Sequence, residues 1–387
     1  MVDVVEKLKG FKMHEQLVLL ASRRTLTESE KEYMCTLIES PGFNWHEFLG
    51  IAFINRVNGI IYKNLADFKK IPKYVMFFLK MAYNEQCYRT KAHVAEILDV
   101  SAELEKNNIK HAFLKGAVLN TLVYNAGERI SNDTDLMVNI ADIDKTVELL
   151  KNMGYAQGKI REGKFEAATK KEILFQRMNT YEIVPLAKPV DERYFPFHEI
   201  DINFRLGNDA TKEESEELVN KSIRIGKEGY EINTFPLEEF LLFLCIHHYR
   251  EAVMVFKIVK GDDLTLYKFM DIHFFVSKYF SDISWEKLQE ITTRMNRIKD
   301  VYYTLFYTET LYPGTIPEEV LDMFKPEDTA FLNEYRGRDN TDEVYTWKMD
   351  FVHRVFSYDR QLEAMENIGE ENERYRKIKD IVKGQNQ

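Results

Sequence analysis

Helical periodicity fills both ends of this chain and fails in the middle, and that interruption constrains the fold more than any other feature. Over residues 1–107 apolar side chains recur at helical spacing. Thr27-Glu-Ser-Glu30 and Asn44-Trp-His-Glu47 each set a capping residue three positions before a Glu, an arrangement that satisfies the first N–H groups of a helix. After the second, Phe48, Ile51, Ile54 and Val57 mark one buried face. Pro72 opens a long helical stretch over residues 73–107. At Ile109 the period falls to two: Ile109, His111 and Phe113 alternate with Lys110, Ala112 and Leu114, which predicts a short strand running into Lys115-Gly116-Ala117 and an apolar helix to about Tyr124. A second strand is expected over 133–138 and a helix over 142–153, closed by Gly154. Further strands are expected over 173–178, 181–184 and 199–204, with turns at Pro185, Pro189 and Pro196. The helical period returns at Pro236 and persists, with breaks at Gly261-Asp262-Asp263 and Tyr312-Pro313-Gly314. The charged stretch after Glu370 is expected to fray.

The pattern reads as an α+β protein in three regions: helical over 1–107, a small mixed-sheet core over 108–233, and helical over 234–387. Only 17 Gly and 9 Pro in 387 residues suit such a chain, since their joint usage is about half the average. Charge removes one class of partner. Lys plus Arg is 53 against 63 Asp plus Glu, a net charge of -10 with no basic block, so a polynucleotide partner is disfavoured. Cys35, Cys87 and Cys245 lie too far apart for a disulfide framework or a Cys-rich zinc site, which suits a reducing compartment. The start, Met-Val-Asp-Val-Val-Glu-Lys, is charged where a signal peptide needs its apolar stretch. Apolar runs such as 241–246 fall far short of the roughly 20 residues of a membrane helix. The expectation is a cytoplasmic protein with no membrane partner.

Several common motifs are absent. His14-Glu15 and His46-Glu47 lack a second His at metalloprotease spacing, no Gly-x-Gly-x-x-Gly occurs, and residues 154–159 are too short between Gly154 and Lys159 for a phosphate loop. The informative segment is Arg129-Ile-Ser-Asn-Asp133-Thr-Asp135-Leu-Met-Val138. Carboxylates at i and i+2 of a strand share a side, about 6–7 Å apart at a rise of about 3.3 Å per residue. A hard divalent cation between them relieves their repulsion, which selects Mg²⁺ or Mn²⁺. Alone, such a pair is common and reads as a solvated turn. In His198-Glu-Ile-Asp-Ile-Asn-Phe204, however, Glu199, Asp201 and Asn203 share one face while Ile200, Ile202 and Phe204 anchor the other. If this strand lies beside the Asp133 strand, three carboxylates converge as phosphoryl or nucleotidyl transfer requires. Lys115-Gly116 stands where a strand enters a helix: Gly lets backbone approach a phosphate, and the helix N-terminus and Lys115 supply positive charge.

Taken in order, Leu114-Lys-Gly-Ala117, Tyr124, Arg129 ahead of Asn-Asp133-Thr-Asp135-Leu-Met-Val138, the helix end Met153-Gly-Tyr155 and Glu199-Ile-Asp201-Ile-Asn203 resemble a largely uncharacterised bacterial nucleotidyltransferase family of the polymerase-beta-like superfamily. The resemblance covers most of residues 10–320. It implies a small mixed sheet flanked by helices, with Asp133, Asp135 and Asp201 as catalytic residues that hold Mg²⁺ or Mn²⁺. It also implies that Lys115 and Gly116 lie against the triphosphate of an NTP such as ATP. Arg129 either neutralises a phosphate or pairs with a carboxylate of the site. His247, His248, Arg250 and Lys268 fall where relatives carry His and basic residues, and Gly261 and Asp271 fit the spacing that follows. By this analogy His248 and Lys268 are nucleotide contacts. Two departures stand out: Lys115-Gly116-Ala117 replaces the usual Gly-Ser or Gly-Gly, and Asn203 stands where relatives often have His. The expected activity is Mg²⁺-dependent transfer of an NMP to a hydroxyl of a small molecule, peptide or protein, with release of pyrophosphate. The alternatives are a non-catalytic binding or regulatory module on the same fold, which the missing hydroxyl at Ala117 favours, or a member of a toxin–antitoxin pair.

Overall fold

The computed structural model describes residues 3–131, 133–206, 210–227, 229–337 and 343–368. The tail after Glu370, expected to fray, lies outside the described residues. The chain forms two compact units, one from residues 1–76 and 241–387 and the other from residues 77–240.

The unit of residues 77–240 is built on a six-stranded mixed sheet. Its strands are β1 (His111–Leu114), β2 (Thr134–Val138), β3 (Ala156–Arg161), β4 (Lys164–Ala167), β5 (Leu186–Pro189) and β6 (Phe197–Asn203), in the order β1-β2-β6-β5-β3-β4. β2 and β6 pair in parallel, and the other neighbours are antiparallel. β1 and β2 are wholly buried. β6 alternates, with His198, Ile200 and Ile202 buried and Phe197, Glu199, Asp201 and Asn203 partly exposed, so its apolar side anchors and its acidic side faces outward. The helix Lys73–Lys106 supplies Val94, Ile97, Val100 and Leu104 to the core. A second hairpin, β7 (Ile223–Lys227) with β8 (Tyr230–Thr234), closes the unit against β1, where Thr234 Oγ1 donates to the Phe113 carbonyl at 2.8 Å.

Three local expectations change here. Residues 181–184, expected as a strand, make only an isolated bridge at Glu182, and Pro189, expected at a turn, is the last residue of β5. Residues 173–178, expected as a strand, belong to the helix Lys170–Asn179. Thr169 caps its N-terminus, accepting from Glu172 N while the Glu172 carboxylate accepts from Thr169 N at 2.8 Å. That reciprocal cap outweighs the β-prone run Ile173-Leu174-Phe175. The hairpin β3–β4 turns at Glu162 and Gly163, both at positive φ (50° and 72°), the mirror-image turn that matches the twist of paired strands.

The unit of residues 1–76 and 241–387 is mainly helical. The predicted cap at Thr27 forms both of its bonds with Glu30, and Gly261 ends the helix Val255–Lys260 in the left-handed conformation. The fully buried Asp263 carboxylate accepts from Arg360 Nε and Nη2 at 3.0 Å, a paired geometry of the strongest kind. No described helix is long and apolar enough to cross a membrane.

Candidate active site

The acidic face of the β2–β6 pair is set by register. In the parallel ladder Thr134 pairs with Ile200, Asp135 with Asp201 and Leu136 with Ile202. Partners across a ladder project to the same side on strands about 4.8 Å apart, so Asp135 and Asp201 are adjacent on one face and Thr134 and Ile200 on the other. Asp133 immediately precedes β2, two residues before Asp135, and its charge acts on Asp135, Asp201 and Glu199.

This crowding perturbs the acids strongly. Burial pushes the Asp201 carboxyl up to about 8, with Asp135, Asp133, Glu199 and Glu182 adding to it. Burial also raises Asp135, opposed by Lys115 and reinforced by Asp133. Glu199 is raised by burial and then by Asp133. Repulsion among like charges in a poorly hydrated place favours the protonated forms until a cation arrives.

The turn between β1 and the helix Lys115–Leu122 brings a cation to these acids. Lys115 sits at φ 44°, a left-handed conformation that costs a non-glycine residue about 1 kcal/mol or more. Its Nζ lies 2.8 Å from Asp135 Oδ1. At Gly116 a β-carbon would stand 2.3 Å from Ser131 Oγ and 2.9 Å from Arg129 Nη1, so only glycine lets the 129–131 segment pack against this helix start. Arg129 is buried and donates from Nη1 to the Ile130 carbonyl at 3.3 Å. The helix Lys73–Lys106 grips the same segment: Gln86 Nε2 donates to the Arg129 carbonyl at 3.0 Å and Arg89 Nε to the Ser131 carbonyl at 3.3 Å.

Lys115, Gly116, Arg129, Asp133, Asp135 and Asp201 thus belong to one unit. His248 and Lys268 belong to the other. There His248 is buried with its ring edge against Phe269, centroids 4.2 Å apart, and burial lowers it to about 3. Lys268 Nζ lies 2.7 Å from Glu251 Oε2 and donates to the Asp263 carbonyl at 2.9 Å.

Sequence reasoning missed the contributions of Glu182, Ser131 and Arg89. Glu182 bridges to Asn203, two residues beyond Asp201 on β6, and its charge reaches both Asp135 and Asp201. Its alternation with Tyr181 and Ile183 was a signal, but its neighbour across the sheet was not. Among the described residues no group of three or more His, Cys, Asp or Glu side chains is already assembled as a metal site. The donor chemistry still suits a hard divalent ion: the face offers carboxylate oxygens with raised proton affinity, and an ammonium now rests on one of them.

The fold and this face define a class: an α+β protein with an acidic sheet centre beside a strand-to-helix turn. Residues 41–313 match the model of a family described as uncharacterised nucleotidyltransferase. The match spans more than half of the chain, which therefore belongs to this nucleotidyltransferase family. No curated protein matches the chain.

Proposed function

We propose that this chain transfers an NMP from an NTP to the hydroxyl of a small-molecule, peptide or protein acceptor, with release of pyrophosphate. The observation that carries the reading is the register of Asp135 against Asp201 on parallel neighbours, with Asp133 just ahead. In this reading Asp133, Asp135 and Asp201 hold Mg²⁺ or Mn²⁺. The bound ion would neutralise charge on the transferred phosphorus and on the leaving oxygens.

The chain's own residues have distinct tasks. Gly116 keeps the start of the helix Lys115–Leu122 open to a phosphate, which N-terminal N–H groups attract. Lys115 exchanges its contact with Asp135 for a phosphate oxygen when nucleotide enters. Asp201, raised to about 8 in the metal-free face and returned to its carboxylate form once a cation is bound, accepts the acceptor hydroxyl's proton at a carboxylate oxygen. Arg129 steadies the Gly116 turn from behind. The net charge of -10 favours an acceptor other than a polynucleotide.

Two observations favour a second reading, a non-catalytic module: Lys115 already compensates Asp135, and Ala117 supplies no hydroxyl. Transfer chemistry separates the two. Purified chain, α-labelled NTPs, Mg²⁺ or Mn²⁺ and a cell lysate should yield a labelled acceptor, and Asp133→Asn with Asp135→Asn should reduce labelling by about 10³-fold or more, the scale of removing key electrostatic groups. Labelling that survives the double substitution would overturn the assignment.

A further inference from the structure

Behind the acidic face, the other side of β2 and β6 carries a buried polar chain. Thr134 lies between Asp133 and Asp135 and is fully buried. Its Oγ1 is 2.7 Å from His93 Nε2, on the helix Lys73–Lys106, and 2.7 Å from His198 Nε2, on β6. His198 Nδ1 is 2.6 Å from the Tyr155 hydroxyl. That hydroxyl donates to Glu96 Oε2 at 3.3 Å, and Lys188 Nζ lies 2.5 Å from the same oxygen.

Chemistry gives this chain one direction. A carboxylate paired with Lys188 accepts only, so Tyr155 donates to Glu96 and its oxygen accepts from His198 Nδ1–H. His198 Nε2 is then a bare acceptor, and Thr134 donates its single hydroxyl proton to it. The Thr134 oxygen in turn accepts from His93 Nε2–H. This leaves His93 Nδ1 as a lone pair, and that atom is buried with no partner among the described residues. Both imidazoles are neutral in this scheme. Burial lowers His93 to about 4 and His198 well below its ordinary value.

Resting on the reading of the acidic face as the transfer site, we propose that the chain from Glu96 through Tyr155, His198 and Thr134 to His93 is a positioning network for the metal-binding carboxylates. A β-branched side chain with both hydroxyl bonds fixed has one rotamer. Bonds to both His93 and His198 hold Thr134 in place between the long helix and β6, and with it the short stretch of backbone that carries Asp133 and Asp135. The same hydroxyl ties β2 to β6 and so sets the separation of Asp135 and Asp201. Gln86 and Arg89, on the helix that carries His93, hold the backbone just upstream. The network reaches the carboxylates through the backbone of β2; partners bonded directly to a metal ligand typically change metal affinity by about 10–100-fold when lost, and the lower end of that range is the scale expected here.

The test uses the full chain and Mn²⁺ alone, followed by electron paramagnetic resonance. Thr134→Val keeps the shape and removes the hydroxyl, whereas Thr134→Ser keeps the hydroxyl. The valine variant should bind Mn²⁺ at least about 10-fold more weakly while the serine variant stays within about threefold. A folded valine variant with wild-type Mn²⁺ affinity would overturn the proposal and leave the nucleotidyltransferase reading intact. Failure of the wild-type chain itself to bind Mn²⁺ would overturn that reading, and the network's role with it. Should Thr134→Val not fold, Tyr155→Phe cuts the chain at its far end and should still weaken Mn²⁺ binding by a few fold; unchanged affinity there counts against the network. Nitrogen-15 spectra of the histidines give an independent readout, with proton positions at Nδ1 of His198 and Nε2 of His93 expected and the opposite tautomers contradicting the scheme.

Discussion

Two largely buried carboxylates, one in each unit, meet opposite surroundings. Asp201 is ringed by Asp135, Asp133, Glu199 and Glu182, and burial with these neighbours raises its carboxyl to about 8. Glu251 lies 2.6 Å from Lys257, 2.7 Å from Lys268 and 3.4 Å from His247. Burial would raise it as well, but the neighbouring His247, Lys268 and Lys257 outweigh burial and hold it well below the ordinary carboxylate range. A buried acid matched by cations is complete as folded. One matched mainly by other acids stores repulsion that an incoming cation can relieve, and that difference is why the proposed ligand site is the β2–β6 face and not the Glu251 cluster.

Substitution should separate the two sites by sign. Glu251→Gln leaves Lys257 and Lys268 without their carboxylate, and breaking such a buried pair costs about 3–5 kcal/mol, read as a lower denaturant midpoint. Asp201→Asn removes a repelling charge and should raise apo stability at pH 8 by about 1–2 kcal/mol, a modest gain because water still reaches the partly exposed carboxylate, while abolishing transfer. A destabilised Asp201→Asn chain, or an unaffected Glu251→Gln chain, would erase the contrast.

pH should divide them by a smaller margin. Asp201 has a folded value above its unfolded one, so its contribution to stability is full below about pH 4 and is lost as pH rises through about 8. Glu251 has a folded value below its unfolded one, so its contribution is present above about pH 4 and lost as pH falls further. Without divalent metal, wild-type stability should decline from pH 6 to pH 9 more than that of Asp201→Asn. Parallel curves for the two chains over that range would contradict the placement of Asp201 among acids.

Much of this architecture was legible in local pattern. The long helix, β1, β2 and β6 followed from periodicity, because each buries a recurrent apolar face. The hairpin β3–β4 did not, since its strands are mostly exposed and rich in Lys, Arg and Glu, leaving no apolar alternation to read. The helix Lys170–Asn179 buries no residue, so its apolar run carried no helical signature and only the Thr169 cap betrayed it. The adjacency of Asp135 and Asp201 was a conditional inference, because the two residues lie 66 positions apart in strands whose pairing is a tertiary fact. The network through Thr134 was invisible for the same reason: its members come from the helix Lys73–Lys106, β2, β6 and the residue just before β3.

In the proposed function the acidic face of β2 and β6 takes a metal-bound nucleotide. The most direct measurement is the melting temperature of the full chain with each of the four NTPs and Mg²⁺ or Mn²⁺, compared with the Asp133→Asn, Asp135→Asn chain. A ligand that binds only the folded state at 100 times its dissociation constant stabilises by about 2.7 kcal/mol. An upward shift with at least one NTP is expected in wild type and none in the double variant. No shift with any NTP in either metal, or an equal shift in both chains, would contradict it.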